Sequence, residues 1–177
     1  MVEATITAAA QSELSALFAL PNADQTLSDG NAWLHADYSN LAAGTSKDAA
    51  GLAAAAALTA QEVNNKSADC QPHLLLVPSA DAATARKLVA DASLPGTPWM
   101  DVRATSYLSS DRWYLLADPA VWPALARATL PGSESRSVVW DSSMPNAWEG
   151  FGAVIVGNLT FDYGVVSRVG IVNMTFA

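Results

Sequence analysis

Two histidines, His35 and His73, and a single cysteine, Cys70, are the side chains from which acid–base, nucleophilic or metal chemistry would most readily be built. A hydrolase of the serine, histidine and aspartate kind needs those groups in one geometry. Ser and Asp are so numerous here that pairing either histidine with them carries no information. No Gly-x-Ser-x-Gly elbow, phosphate loop, dinucleotide fingerprint or metalloprotease helix motif occurs. His35, followed by Asp37 and Asn40, reads as a maker of structural hydrogen bonds in a turn. His73 opens an apolar run, where a polar strand edge is expected. One cysteine rules out an intrachain disulfide, and no His stands at metal-ligand spacing around Cys70, which reads as a small buried or half-exposed thiol. The stretch from Asp24 to Gly30 has calcium-loop residue types but neither the Asp spacing nor the closing Glu. No catalytic, cofactor-binding or metal residue is assigned, and the chain reads as a non-enzyme. A small α/β hydrolase built around Val77–Leu88 with His73 in its pocket is the alternative.

Composition narrows the classes further. The 177 residues are 51% hydrophobic, enough for a sizeable core, although alanine supplies much of that fraction. Six Trp supply large flat surfaces suited to cores and subunit contacts. The net charge is −8, with nine scattered Lys and Arg, and the pI is about 4.4. That balance excludes a protein whose main task is gripping phosphates, while an acidic wall around packed DNA is compatible with it. No apolar run approaches the roughly 20 residues of a membrane span, and no secretory signal pattern opens the chain. The protein is expected to be soluble, without a membrane partner.

The elements that would position these residues follow from periodicity and punctuation. Apolar spacing predicts a helix over 4–20, stopped by Pro21, then a loop over Asn22–Gly30. An alanine-rich helix is predicted over 46–65, with Thr45 and Asp48 at capping-box-like spacing. His73–Val77, bounded by prolines, reads as a buried strand, and Ser79 as the cap of a helix over 80–91. Trp99–Ala104 and Trp113–Ala117 read as strands with a turn at Ser109–Asp111. Asp118 and Pro119 read as the start of a helix running to Thr129, in conflict with Pro123. The last third reads as β: Ser137–Trp140, Ala153–Val156, Leu159–Val166 and Arg168–Phe176, with Gly157-Asn158 as a two-residue hairpin turn. Trp99, Met100, Met144 and Trp148 lie in predicted loop or edge segments. They are read either as interface anchors or as local core plugs.

Several of these segments, taken in order, resemble phage major capsid proteins of the kind often fused to a prohead protease. Ser28-Asp29-Gly30-Asn31-Ala32-Trp33-Leu34-His35-Ala36-Asp37-Tyr38-Ser39-Asn40-Leu41 is similar to a recurring stretch there: Asp-Gly, an apolar pair, His-Ala-Asp, then Asn-Leu. An alanine-rich helix follows in that family, as here. Pro72–Pro78 resembles its Pro-x-x-Leu-Leu-Val-Pro motif, with Ala85-Arg86 in the helix beyond. Trp113–Pro119 resembles Trp-Tyr-Leu-x-Ala-Asp-Pro, Leu130-Pro131-Gly132 its Leu-x-Gly, and Asp162-Tyr163-Gly164-Val165 its closing strand pair. The family's last Asp-aromatic-Arg-Gly is altered: Ser167-Arg168-Val169-Gly170 keeps the Arg and the Gly.

The resemblance implies an α+β fold of the Hong Kong ninety-seven (Johnson) type, with an axial domain and part of a peripheral domain, the N-terminal arm and extended loop being absent. Residues 1–66 would be an N-terminal helix, a loop and a spine-type helix of the peripheral domain. Residues 67–150 would be the axial core, and 151–177 strands returning to the peripheral domain. It implies a virion shell subunit, assembled in the host cytoplasm, that forms pentamers, hexamers and icosahedral particles around DNA without sequence-specific binding. Partners would be copies of itself, other head proteins, or a separate chain supplying the N-terminal region. No cofactor is implied. A nanocompartment shell of the same fold, carrying cargo instead of DNA, is the nearest alternative.

Overall fold

The computed structural model describes residues 2–23, 25–59, 62–63, 66–67, 70–91, 100–129, 137–141, 154–158 and 161–176. In chain order its elements are α1 (Val2–Ala23), β1 (Leu41–Thr45), α2 (Ala49–Thr59), β2 (Glu62–Val63), β3 (Lys66–Ser67), β4 (Pro72–Pro78), α3 (Ala82–Asp91), β5 (Asp101–Thr105), β6 (Arg112–Ala117), β7 (Leu125–Thr129), β8 (Ser137–Asp141), β9 (Val154–Asn158), β10 (Phe161–Val165) and β11 (Ile171–Phe176). Single 3-10 turns span Ala36–Tyr38 and Ser79–Asp81. The architecture is mixed α+β.

One five-stranded sheet organises the chemistry-bearing residues, in the order β1-β11-β6-β4-β5. The outer pairs, β1 with β11 and β4 with β5, are parallel; β6 runs antiparallel to both of its neighbours. The three expected stretches 1–66, 67–150 and 151–177 each contribute strands to it. Because side chains alternate across a strand, β6 sends Trp113 and Leu115 to one face and Tyr114 to the other. The first face takes Leu75, Val77, Val172 and Met174 as well, covered by Leu52 and Ala55 of α2 and Ala85 of α3. The second takes Ile171 and packs against Trp33, Leu34 and Leu108. A sheet covered on both faces explains why β4 and β6 read as unbroken apolar runs. Trp33 and Trp113, one on each side, are wholly buried.

By internal packing the chain divides into two compact units, residues 1–17 with 127–164, and residues 18–126 with 165–177. The five-stranded sheet belongs to the second. In the first, β8 and β9 form an antiparallel ladder from Ser137 opposite Asn158 to Asp141 opposite Val154. There the buried Glu13 accepts a hydrogen bond from the Tyr163 hydroxyl at 2.9 Å and pairs with Arg127 at 3.1 Å.

Several sequence expectations are corrected here. Pro21 lies inside α1, which continues to Ala23; so close to the helix end, proline forfeits one helical hydrogen bond and the last two residues stay helical. The alanine-rich helix is shorter than 46–65. Asp48 itself caps it, its carboxylate accepting from Gly51 N–H at 2.8 Å, while Thr45 belongs to a strand. Beyond Thr59, residues 62–63 and 66–67 pair as β2 and β3. Ser79 lies within a 3-10 turn and α3 starts at Ala82. The helix expected over Asp118–Thr129 is a single turn. Asp118 caps it through Ala120 N–H at 2.9 Å, Pro123 comes next, and 125–129 is the strand β7, paired with β10. Gly157 and Asn158 lie within β9, opposite Val138 and Ser137.

Candidate functional site

The Ser28–Leu41 stretch is a loop tied down by its own polar residues. Gly30 (φ 81°) closes a turn in which Gly30 N–H donates to Leu27 O and Leu27 N–H to Asn31 O. Trp33 and Leu34 then enter the core. Past them, His35 Nδ1 accepts from Asp37 N–H at 3.2 Å, so this imidazole caps the 3-10 turn Ala36–Tyr38. Ser39, left-handed at φ 55°, ends that turn and points the chain inward at Asn40. Asn40 is buried and spends its amide on the loop itself: its oxygen accepts from His35 N–H at 2.8 Å, and its nitrogen donates to Trp33 O at 2.8 Å and Arg168 O at 3.4 Å.

Arg168 closes the loop from the other end of the chain. Its guanidinium grips Asp29 in a bidentate fork at 2.6 and 2.9 Å, donates to Asn31 O at 3.2 Å and Ala32 O at 3.3 Å, and stacks over the Tyr38 ring with its carbon 4.1 Å from the ring centre. This is the geometry in which Arg and Lys are not interchangeable. The hydrogen bonds from Arg168, then from Asn31 N–H, hold the Asp29 carboxyl far below the ordinary aspartate range. The same fork raises Arg168 further. Trp33 Nε1–H donates to Ser167 O at 3.0 Å, so indole and guanidinium fasten the same turn.

A second polar cluster sits at the far end of the sheet. Lys47 Nζ lies 2.7 Å from Asp81 Oδ2, 3.2 Å from Ser110 O and 4.9 Å from the centre of the Phe176 ring. Trp113 Nε1–H donates to the same Asp81 oxygen at 2.8 Å, and its ring meets Phe176 edge-on at 5.1 Å. Burial works against the Asp81 charge, but the bonds from Lys47 and Trp113 outweigh it and leave the carboxyl below its ordinary value. Carboxylates held ionised against fixed cations are matched to fastening segments together, not to exchanging protons with a substrate.

Among the described residues no group of three His, Cys, Asp or Glu side chains could hold a metal ion, and no helix is long and apolar enough to cross a membrane. Cys70 is buried. His73 is exposed at the start of β4 and His35 is committed to its cap. Of the four residues read as anchors or plugs, Met100 lies in the core beneath the helices, 7% exposed. Trp99, Met144 and Trp148 fall outside the described residues. Sequence reading did not connect Asp29 with Arg168, or Lys47 with Asp81. The one available signal was a lone Arg-x-Gly surviving in the altered closing motif.

A family model described as phage capsid protein matches residues 1–173. The chain belongs to this phage capsid protein family. The match takes in both halves of the Asp29–Arg168 clasp. This capsid protein is thus a structural component of the virion, in a family that is structural and not enzymatic. No curated protein matches the chain.

Proposed function

We propose that this chain is a shell-forming subunit of the Hong Kong ninety-seven type, which assembles with copies of itself into pentamers, hexamers and closed icosahedral particles enclosing phage DNA. The reading rests above all on the family match over residues 1–173. The ordered motifs support it, since their residues are those that fasten the Ser28–Leu41 loop to Arg168. In this reading the five-stranded sheet joins strands of the axial stretch 67–150 to one strand from each peripheral stretch, and its two covered faces make it stiff enough to be carried unchanged between ring positions. A net charge of −8 on the chain fits a container whose wall does not bind the packed polymer. Trp99, Met144 and Trp148 are the proposed anchors between subunits.

Electron microscopy of negatively stained, purified chain tests the proposal. Rings of five or six and closed particles are expected, alone or with the other head proteins co-expressed. A strict monomer at high concentration across salt and pH, with and without those partners, overturns it.

A further inference from the structure

Closed shells need at least two different contact surfaces on each subunit, and the five-stranded sheet has two outer edges. At one, β1 is distorted: its register against β11 shifts between Ala42 and Thr45, and Gly44 adopts φ 65°. Such a bulge turns an edge away from further pairing. At the other, β5 pairs with β4 in unbroken register from Asp101 to Thr105, and among the described residues no strand pairs with its outer side. This edge carries charge, which ordinarily discourages pairing. Here the charges are of opposite sign two residues apart. Asp101 and Arg103 share one face of β5, 2.7 Å apart, with the arginine side chain 71% exposed.

That spacing is self-complementary. Two β5 strands meeting antiparallel about a two-fold axis at Val102 set Asp101 of each copy opposite Arg103 of the other, twice, on the same face. The intrachain pair then becomes a square of alternating charges. A slip of one residue would separate the partners onto opposite faces. Val102 and Ala104 lie on the face that carries the core and α3, so the two helical layers would also continue across the axis.

We propose that the outer edge of β5 pairs antiparallel with β5 of a second copy of this chain about a two-fold axis at Val102, joining two sheets into one of ten strands. This deepens the shell reading and rests on it, by assigning one self-complementary contact between subunits.

Val102→Cys tests the axis. Cross-strand cysteines there form an intermolecular disulfide under mild oxidation, and the wild-type chain, whose single thiol is the buried Cys70, is the control. Charge reversal supplies an independent measurement if that variant folds poorly. Arg103→Asp places two like-charged pairs across the axis and weakens self-association in sedimentation velocity about tenfold. Asp101→Arg with Arg103→Asp reverses every charge, restores the match and recovers wild-type association. No disulfide from folded Val102→Cys, or unchanged association of Arg103→Asp, overturns the β5 pairing whether or not particles form. A disulfide and charge rescue without any rings or particles in micrographs upholds the pairing and sinks the shell reading instead.

Discussion

Arg168 and Asp29 stand 139 residues apart in the chain and are joined by two hydrogen bonds of 2.6 and 2.9 Å. The clasp turns a glycine-containing loop into a fixed part of the sheet's second face, because the same loop delivers the wholly buried Trp33. Two exposed charges alone would contribute little. Here the guanidinium also satisfies two backbone carbonyls and lies flat on Tyr38.

Arg168→Lys keeps the charge and loses the fork and the stacking. We expect Tm to fall by about 2–4 °C. An unchanged Tm in differential scanning calorimetry would mean that the stacked, forked geometry contributes nothing.

Asn40 spends its side chain on three backbone groups, one of them the Arg168 carbonyl. Asn40→Ala leaves buried donors and acceptors unpaired and should cost about 2–4 kcal/mol in urea unfolding. Asn40→Asp changes a single atom type, yet it sets a carboxylate oxygen against two carbonyl oxygens. It should cost at least as much at pH 7, and a near-silent Asn40→Asp would contradict the assigned amide orientation.

Asp29, Asp81 and Asp111 are all held below the ordinary aspartate value of 3.8, the last chiefly by the Ser109 hydroxyl. A carboxyl whose folded value is depressed stabilises the fold above its unfolded value, and that contribution is lost as pH falls toward the folded one. Stability should therefore be flat at neutral pH and decline below about pH 4. Asp81→Asn should flatten that acid limb when Tm is followed from about pH 6 down to about 2.5. A variant with the wild-type slope would show that Asp81 takes no part in it.

Gly170 (φ 82°) and Gly44 (φ 65°) separate two costs. At Gly44 a Cβ would meet nothing, so Gly44→Ala should cost about 1 kcal/mol, from backbone strain alone. At Gly170 a Cβ would sit 2.8 Å from Trp122 Cβ and 3.1 Å from Trp122 O. Gly170→Ala should cost about 3 kcal/mol. Equal losses in chemical unfolding would show that the Trp122 contact relaxes freely.

Legibility tracked the range of the interactions. β4, β6 and α3 were readable because apolar runs and helical periodicity are local patterns, and His35 was recognisable as a turn residue because its hydrogen bonds stay within five residues, at Asp37, Tyr38 and Asn40. The reading failed where local signals competed. Asp118-Pro119 starts a turn as well as a helix, and the paired strand β10 made 125–129 a strand after Pro123. Gly157-Asn158 has hairpin-turn chemistry, but the ladder with Ser137 and Val138 absorbed it. The strand β1 escaped notice because Leu41-Ala42-Ala43-Gly44-Thr45 has little β propensity; pairing with β11 makes it one.

By itself the sequence determined the acidic, alanine- and tryptophan-rich character of the chain, its α+β class, and the ordered motifs that resemble a phage capsid protein. Only the tertiary structure decided the strand order β1-β11-β6-β4-β5, the burial of Met100, and the meeting of Asp29 with Arg168 and Lys47 with Asp81. Local propensity acts over a few residues. Which distant charges and strand edges meet depends on how two apolar faces are buried at once, and no window of sequence contains that.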